Sequence, residues 1–180
     1  MARKRNKLLI VDGYNVLRSG ERYKTTAFGP DYTDDAFNTA RERLINDVVN
    51  FAGRDWRAII VFDGAKNEFS TGETQTIGGV RIMFSPAGQS ADKVIEKLAH
   101  DARERMVETL VVTSDATIQD TVFGGGVDRM SANGFSYEVG EYYDQARLDE
   151  LPKVAEKRTL GDRIPADTLA KLKAMRDGKL

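Results

Sequence analysis

Three apolar runs in this chain each end on an aspartate. Residues 8–11 read LLIV and run into Asp12, residues 59–62 read IIVF and run into Asp63, and residues 110–114 read LVVTS and run into Asp115. Continuous rather than alternating apolarity marks a strand buried on both faces. Such strands belong to parallel sheets covered by helices, and in open α/β sheets sites are built at the C-terminal ends of the strands. Three carboxylates delivered to that edge constrain this chain more than any other feature. Gly13 follows Asp12 and is expected to let the backbone turn tightly. Asn15 stands three residues beyond Asp12, so a turn or nascent helix brings the two side chains together.

The intervening segments fit that plan. Residues 18–32 are polar and glycine-containing and read as a loop. Thr33 or Asp34 can cap a helix whose face is marked by Phe37, Ala40, Leu44, Ile45, Val48, Phe51 and Ala52, and which Gly53 ends. The second strand starts at Trp56 or Arg57. Residues 64–79 show no helical periodicity and are expected to form a glycine-rich loop, with a further strand at 80–84 stopped by Pro86. Ser90 caps a second helix carrying Ala91, Val94, Ile95, Leu98, Ala99 and Ala102 on one face, with Asp92 in its first turn. A short helix at 118–123, a last strand at 127–131 and a weaker helical pattern to residue 151 follow. Gly161 and Pro165 break the tail before an amphipathic helix at 166–176. The expectation is one α/β domain over residues 1–150, with a mainly parallel sheet, and a short basic helical extension over 151–180.

Composition narrows the chemistry. The 180 residues include no cysteine and a single histidine, which excludes a disulfide framework, a thiolate zinc site and a multi-histidine centre. His100 falls on the flank of its helix and reads as surface structure. No apolar run reaches the roughly 20 residues of a membrane helix, and the basic start MARKRNK leads into a strand rather than a signal core. A cytoplasmic protein with no membrane partner is expected. The net charge of −1 hides basic clusters at both ends: Arg3, Lys4, Arg5 and Lys7, then Lys153, Lys157, Arg158, Arg163, Lys171, Lys173, Arg176 and Lys179. These are solvated ends, or they steer a polyanion.

Carboxylates brought close together repel, and a hard divalent cation resolves the repulsion. Asp12, Asp63, Asp92 and Asp115 therefore point to magnesium or manganese, which needs no histidine or cysteine and suits phosphoryl chemistry. Each has a plain structural alternative: a turn at Asp12 or Asp63, a helix cap at Asp115, a dipole contact at Asp92, backbone bonding at Asn15. Thr113 and Ser114 carry hydroxyls that could orient the carboxylates.

Four stretches in order, VDGYN at 11–15, VFD at 61–63, SADKVIEKLA at 90–99 and VTSD at 112–115, resemble the NYN domain of the PIN-like, metal-dependent nucleases. The branch resembled is the YacP-like one, which includes bacterial ribosome-associated endoribonucleases that cut mRNA in the ribosomal A site. The resemblance implies that Asp12, Asp92 and Asp115 are metal-site carboxylates, Asn15 their polar partner and Asp63 a peripheral acid. A further acid often closely follows the third strand's aspartate in such sites. Here Ala116 and Thr117 follow, and Asp120 is the nearest acidic substitute. The implied activity is hydrolysis of RNA, with Arg3, Lys4, Arg5 and Lys66 gripping RNA or the ribosome. Two other readings exist: a phosphoacceptor signalling domain, which wants adjacent acids after the first strand and a lysine after the last, and an inactive RNA- or ribosome-binding module of the same fold. Gly13 and the lysine-free 127–131 stretch disfavour the first.

Overall fold

A computed structural model describes residues 7–30, 33–64, 73–150, 170, 171, 174 and 175. The basic residues Arg3, Lys4, Arg5 and Lys66 lie outside the described residues, as do residues 151–169 and most of the expected terminal helix. Two compact units divide the chain, Met1–Tyr143 and Asp144–Leu180.

Among the described residues the first unit is built on six strands: β1 (Lys7–Asp12), β2 (Trp56–Phe62), β3 (Thr74–Ile77), β4 (Val80–Phe84), β5 (Glu108–Val112) and β6 (Val127–Met130). Their order is β3-β4-β2-β1-β5-β6, all neighbours being parallel except β3 and β4. The apolar runs fill the middle of this sheet, as their lack of alternation requires. Leu9, Val11, Ile60 and Phe62 face one side, where α1 (Gly13–Ser19), α2 (Lys24–Phe28), α3 (Asp34–Ala52) and α6 (Ala132–Glu150) pack. Leu8, Ile10, Ile59 and Val61 face the other, beneath α4 (Ala91–Glu104) and α5 (Ala116–Val122). Both caps read from the sequence form: the Thr33 hydroxyl accepts from the Ala36 amide at 3.0 Å, and the Ser90 hydroxyl from the Lys93 amide at 3.4 Å. In the second unit, the end of α6 carries a Gln145 amide donating to Asp149 at 3.2 Å.

Three expectations are corrected. The loop expected at 18–32 is partly helical: within the described part, 18–30, α1 runs to Ser19 and α2 covers Lys24–Phe28, burying Ala27. Helices of seven and five residues are too short for periodicity to show, and burial against the sheet holds them. The expected loop at 64–79 contains β3, joined to β4 through Gly78 and Gly79 with φ of 57° and 83°. That pair fits a tight hairpin turn with two left-handed residues. All four β3 side chains are exposed, so no apolar alternation announced the strand. Gly13, finally, is the first residue of α1 and does not carry a positive φ. A Cβ there would strike the ring of Phe62, so glycine serves close packing between helix and sheet rather than a turn.

Candidate active site

The chain continues from β1 to β2 and β4 on one side, while β5 and β6 lie on the other. That reversal leaves a crevice at the C-terminal ends of β1 and β5. A cleft of about 320 Å³ opens there, lined by Asp12, Asn15, Asp63, Asp92 and Asp115 together with Tyr14, Arg18, Ser19 and Ala91. Asp12 is the last residue of β1, Asp63 follows β2, Asp92 lies in the first turn of α4, and Asp115 caps α5. The topology thus draws all four acids singled out from the sequence to one edge.

Asp12 is the buried member, 6% exposed. The hydroxyl of Thr113, itself fully buried, donates to Asp12 Oδ2 at 3.0 Å and accepts from the Asp115 amide at 3.1 Å. Thr113 therefore couples the two acids across the β1–β5 crevice. Burial pushes the Asp12 carboxyl up to about 6; the charges of Asp92 and Asp115 add to the rise, and the Thr113 hydroxyl and the backbone N–H of Asn15 oppose it. Asp92 is also raised, first by desolvation and then by the charges of Asp115, Asp63 and Glu96. Asp115 Oδ1 accepts from the amides of Thr117 at 2.9 Å and Ile118 at 3.4 Å, so it lines the cleft and caps a helix at once. At Asp63, Oδ1 accepts from the Ser85 hydroxyl at 3.4 Å, and Ser85 Oγ accepts from the Gly64 amide at 2.9 Å.

Asn15 lines the cleft with its carbonyl committed to backbone: Oδ1 accepts from the Ser114 amide at 2.7 Å. It fixes the turn that presents Asp115. Ser114 Oγ accepts from the Ala132 amide at 2.9 Å, so that hydroxyl anchors α6 rather than orienting a carboxylate. Asp120 is not among the cleft residues; it is exposed and pairs with Arg129 at 3.1 Å. His100 is exposed on α4. Sequence reading missed Tyr14, Arg18 and Ser19. Arg18 and Ser19 stand three and four residues beyond Asn15, the spacing that shares a helix face, and the signal was lost when 18–32 read as loop. Tyr14 packs between Phe37 and Phe62, with ring centroids 5.8 and 5.0 Å away.

The donor set is oxygen throughout, which suits a hard cation. Burial raises Asp12 and Asp92 first, and the repulsion between the acids that adds to it is what a cation would relieve. Among the described residues no three acidic or histidine side chains are gathered as a ready-made metal cluster. Magnesium tolerates this, since it keeps several waters and binds through one or two carboxylates.

The sequence pattern of the YacP-like NYN domain matches residues 9–177. Uncharacterized protein YacP of Bacillus subtilis is 31% identical over 132 residues, covering 73% of this chain and 74% of that protein. The crystal structure of Rae1 (YacP) from Bacillus subtilis superposes with a TM-score of 0.62 at 28% identity, covering 97% of each chain. A mutant of that same protein gives 0.61 at 26% identity, over 94% of this chain and 99% of that one.

Proposed function

The chain belongs to the YacP-like NYN domain family, and from that premise we propose that it is a metal-dependent endoribonuclease cutting mRNA on the ribosome, in the cytoplasm. The observation that carries the reading is the buried Asp12, tied through Thr113 to Asp115 and facing Asp92 across the cleft. Burial and the neighbouring acids oppose the Asp12 charge, and a cation bound beside it would offset that cost. Asp12, Asp92 and Asp115 would hold Mg²⁺ or Mn²⁺, with Asp63 at the periphery. The cation, when bound, supplies Lewis-acid activation of water and charge stabilisation on the phosphodiester.

The chain's own side chains do the rest. Thr113 fixes the Asp12 carboxylate, so its charge is oriented before substrate arrives. Asn15 holds Ser114 and thereby the Asp115 backbone. Arg18, exposed at the cleft and stacked 5.5 Å over Phe28, offers a cation to the phosphate of an entering RNA. The family resemblance, rather than any contact, supports the ribosome as partner, with Arg3, Lys4, Arg5 and Lys66 as RNA- or ribosome-gripping groups. An inactive RNA- or ribosome-binding module of the same fold is the second reading.

Single-turnover cleavage of a translated mRNA, with and without EDTA, separates the two. Asp12→Asn should lose about a hundredfold or more in rate, the usual scale for preorganised charge stabilisation. Asp115→Asn should lose as much while keeping α5 capped, because asparagine caps as well as aspartate. The double variant should be little worse than either. RNA or ribosome binding should survive in all three, and Asp120→Asn should cut at the wild-type rate. Cutting that persists in EDTA or in Asp12→Asn would leave the binding module as the better account.

A further inference from the structure

A second cleft, of about 340 Å³, lies on the α4 face of the sheet where β1 and β2 begin. The aspartates stand at the other end of those strands. Its floor is apolar, with Leu8, Ile59 and Leu98. Its rim carries Arg57 of β2, Arg81 of β4 and Arg105 at the C-cap of α4. Asp101 is the one carboxylate among the described residues lining it.

Register explains why the arginines meet. Ile59 pairs with Arg81, and Arg57 lies two residues before Ile59, so both arginines share the face that α4 only partly covers. The end of α4 then brings Arg105 over the same spot.

Several basic side chains elsewhere are engaged. Lys7 pairs with Glu108, Arg22 with Asp47 and Arg129 with Asp120, while Arg103 donates to the carbonyls of Val122 and Gly124. Among the described residues Arg57, Arg81 and Arg105 make no side-chain hydrogen bond or ion pair. Three like charges around one cavity, offset by a single carboxylate, make it favourable for an anion. Guanidinium forks match phosphate oxygens in pairs, and an apolar floor beside them accepts a flat ring.

We propose that this cleft is a nucleotide-phosphate site, separate from the acid cleft, holding the phosphate on Arg57, Arg81 and Arg105 with the base against the apolar floor. The nucleotide is either free or part of an RNA strand, and the site stands whether or not the acid cleft cuts RNA.

The test is a ¹⁵N NMR titration of the full chain in EDTA, following the arginine Nε–Hε signals. One arm uses AMP, the other a short 2′-O-methyl RNA that resists cleavage. Saturable shifts at the three arginines and at Leu98, absent with sodium chloride at matched ionic strength, are expected. Saturation by AMP identifies a free nucleotide; saturation by the RNA alone identifies a strand. Arg81→Gln/Arg105→Gln should weaken binding on the order of tenfold or more, the loss expected from charge-assisted hydrogen bonds. Asp12→Asn should leave the affinity as it was. The dispersed spectrum of each variant reports that it folds. If neither ligand moves the cleft beyond chloride, or if the double variant binds as tightly as wild type, the proposal fails.

Discussion

Asp12 holds a charge that its surroundings oppose. Burial above all, then Asp92 and Asp115, lift its carboxyl from 3.8 to about 6. Between those values the folded protein keeps a proton that the unfolded chain has released. The stability this group contributes is therefore present below pH 3.8 and lost as pH rises through about 6. A shift of this size is worth on the order of 3 kcal/mol. Asp12→Asn removes the ionisation while keeping an acceptor for Thr113. In EDTA near neutral pH the variant should melt higher than wild type by roughly 5–10 °C, on the usual scale for a domain of this length. The gap should close towards about pH 4. Thermal melts across that range decide it; equal melting at neutral pH would mean that Asp12 is not under strain. The same residue shows what could be read in advance. Asp12, Asp63, Asp92 and Asp115 each end a strand or open a helix, positions that hydrophobic pattern reveals, and all four line one cleft. Asp120 had only its spacing to recommend it, and spacing did not foresee Arg129 across the α5–β6 turn.

At the scale of elements, long helices and buried strands were legible and short exposed pieces were not. The apolar faces of α3 and α4 repeat over 19 and 14 residues, which is enough for a period to stand out. β3 has four exposed side chains, and α2 has five residues, so neither had a pattern to read. What holds the α1–α2 turn is Asp47 of α3, 2% exposed. It accepts from Arg22 Nε and the Tyr23 hydroxyl, each at 2.7 Å, and from the Tyr143 hydroxyl at 3.0 Å. The carboxylate thus binds the turn after Arg18 to α3 and α6. Asp47→Ala strands a half-buried guanidinium and a buried phenol, at an expected cost of about 3 kcal/mol. Urea unfolding measures it, and a loss under about 1 kcal/mol would show that the turn is held by packing alone.

At the scale of the molecule, the acids are spread over residues 12 to 115 of the chain but meet at one edge of its sheet. A cation held by Asp12, Asp92 and Asp115 would tie β1, α4 and α5 together, and a ligand that binds only the folded state raises stability by mass action. Mn²⁺ or Mg²⁺ at about a hundred times its dissociation constant should add about 2.7 kcal/mol. Asp92→Asn should blunt the gain without disturbing the fold, since Asp92 is exposed. Scanning fluorimetry against metal concentration reads this, and no change in melting temperature at millimolar metal would remove the cation from the account.

β1 is the first of the six described strands in chain order and sits in the middle of the sheet, between β2 and β5. During synthesis it can pair with β2 early, but its other neighbour does not exist until residues 108–112 have emerged. Asp12 is thus translated long before Thr113 and Asp115, the residues that complete its surroundings. Contacts this distant along the chain also form slowly once both partners are free. A copy that stops short of β5 has no assembled acid cleft. The order of strands thus delays assembly of the acid cleft until β5 and the residues that follow it have joined the sheet.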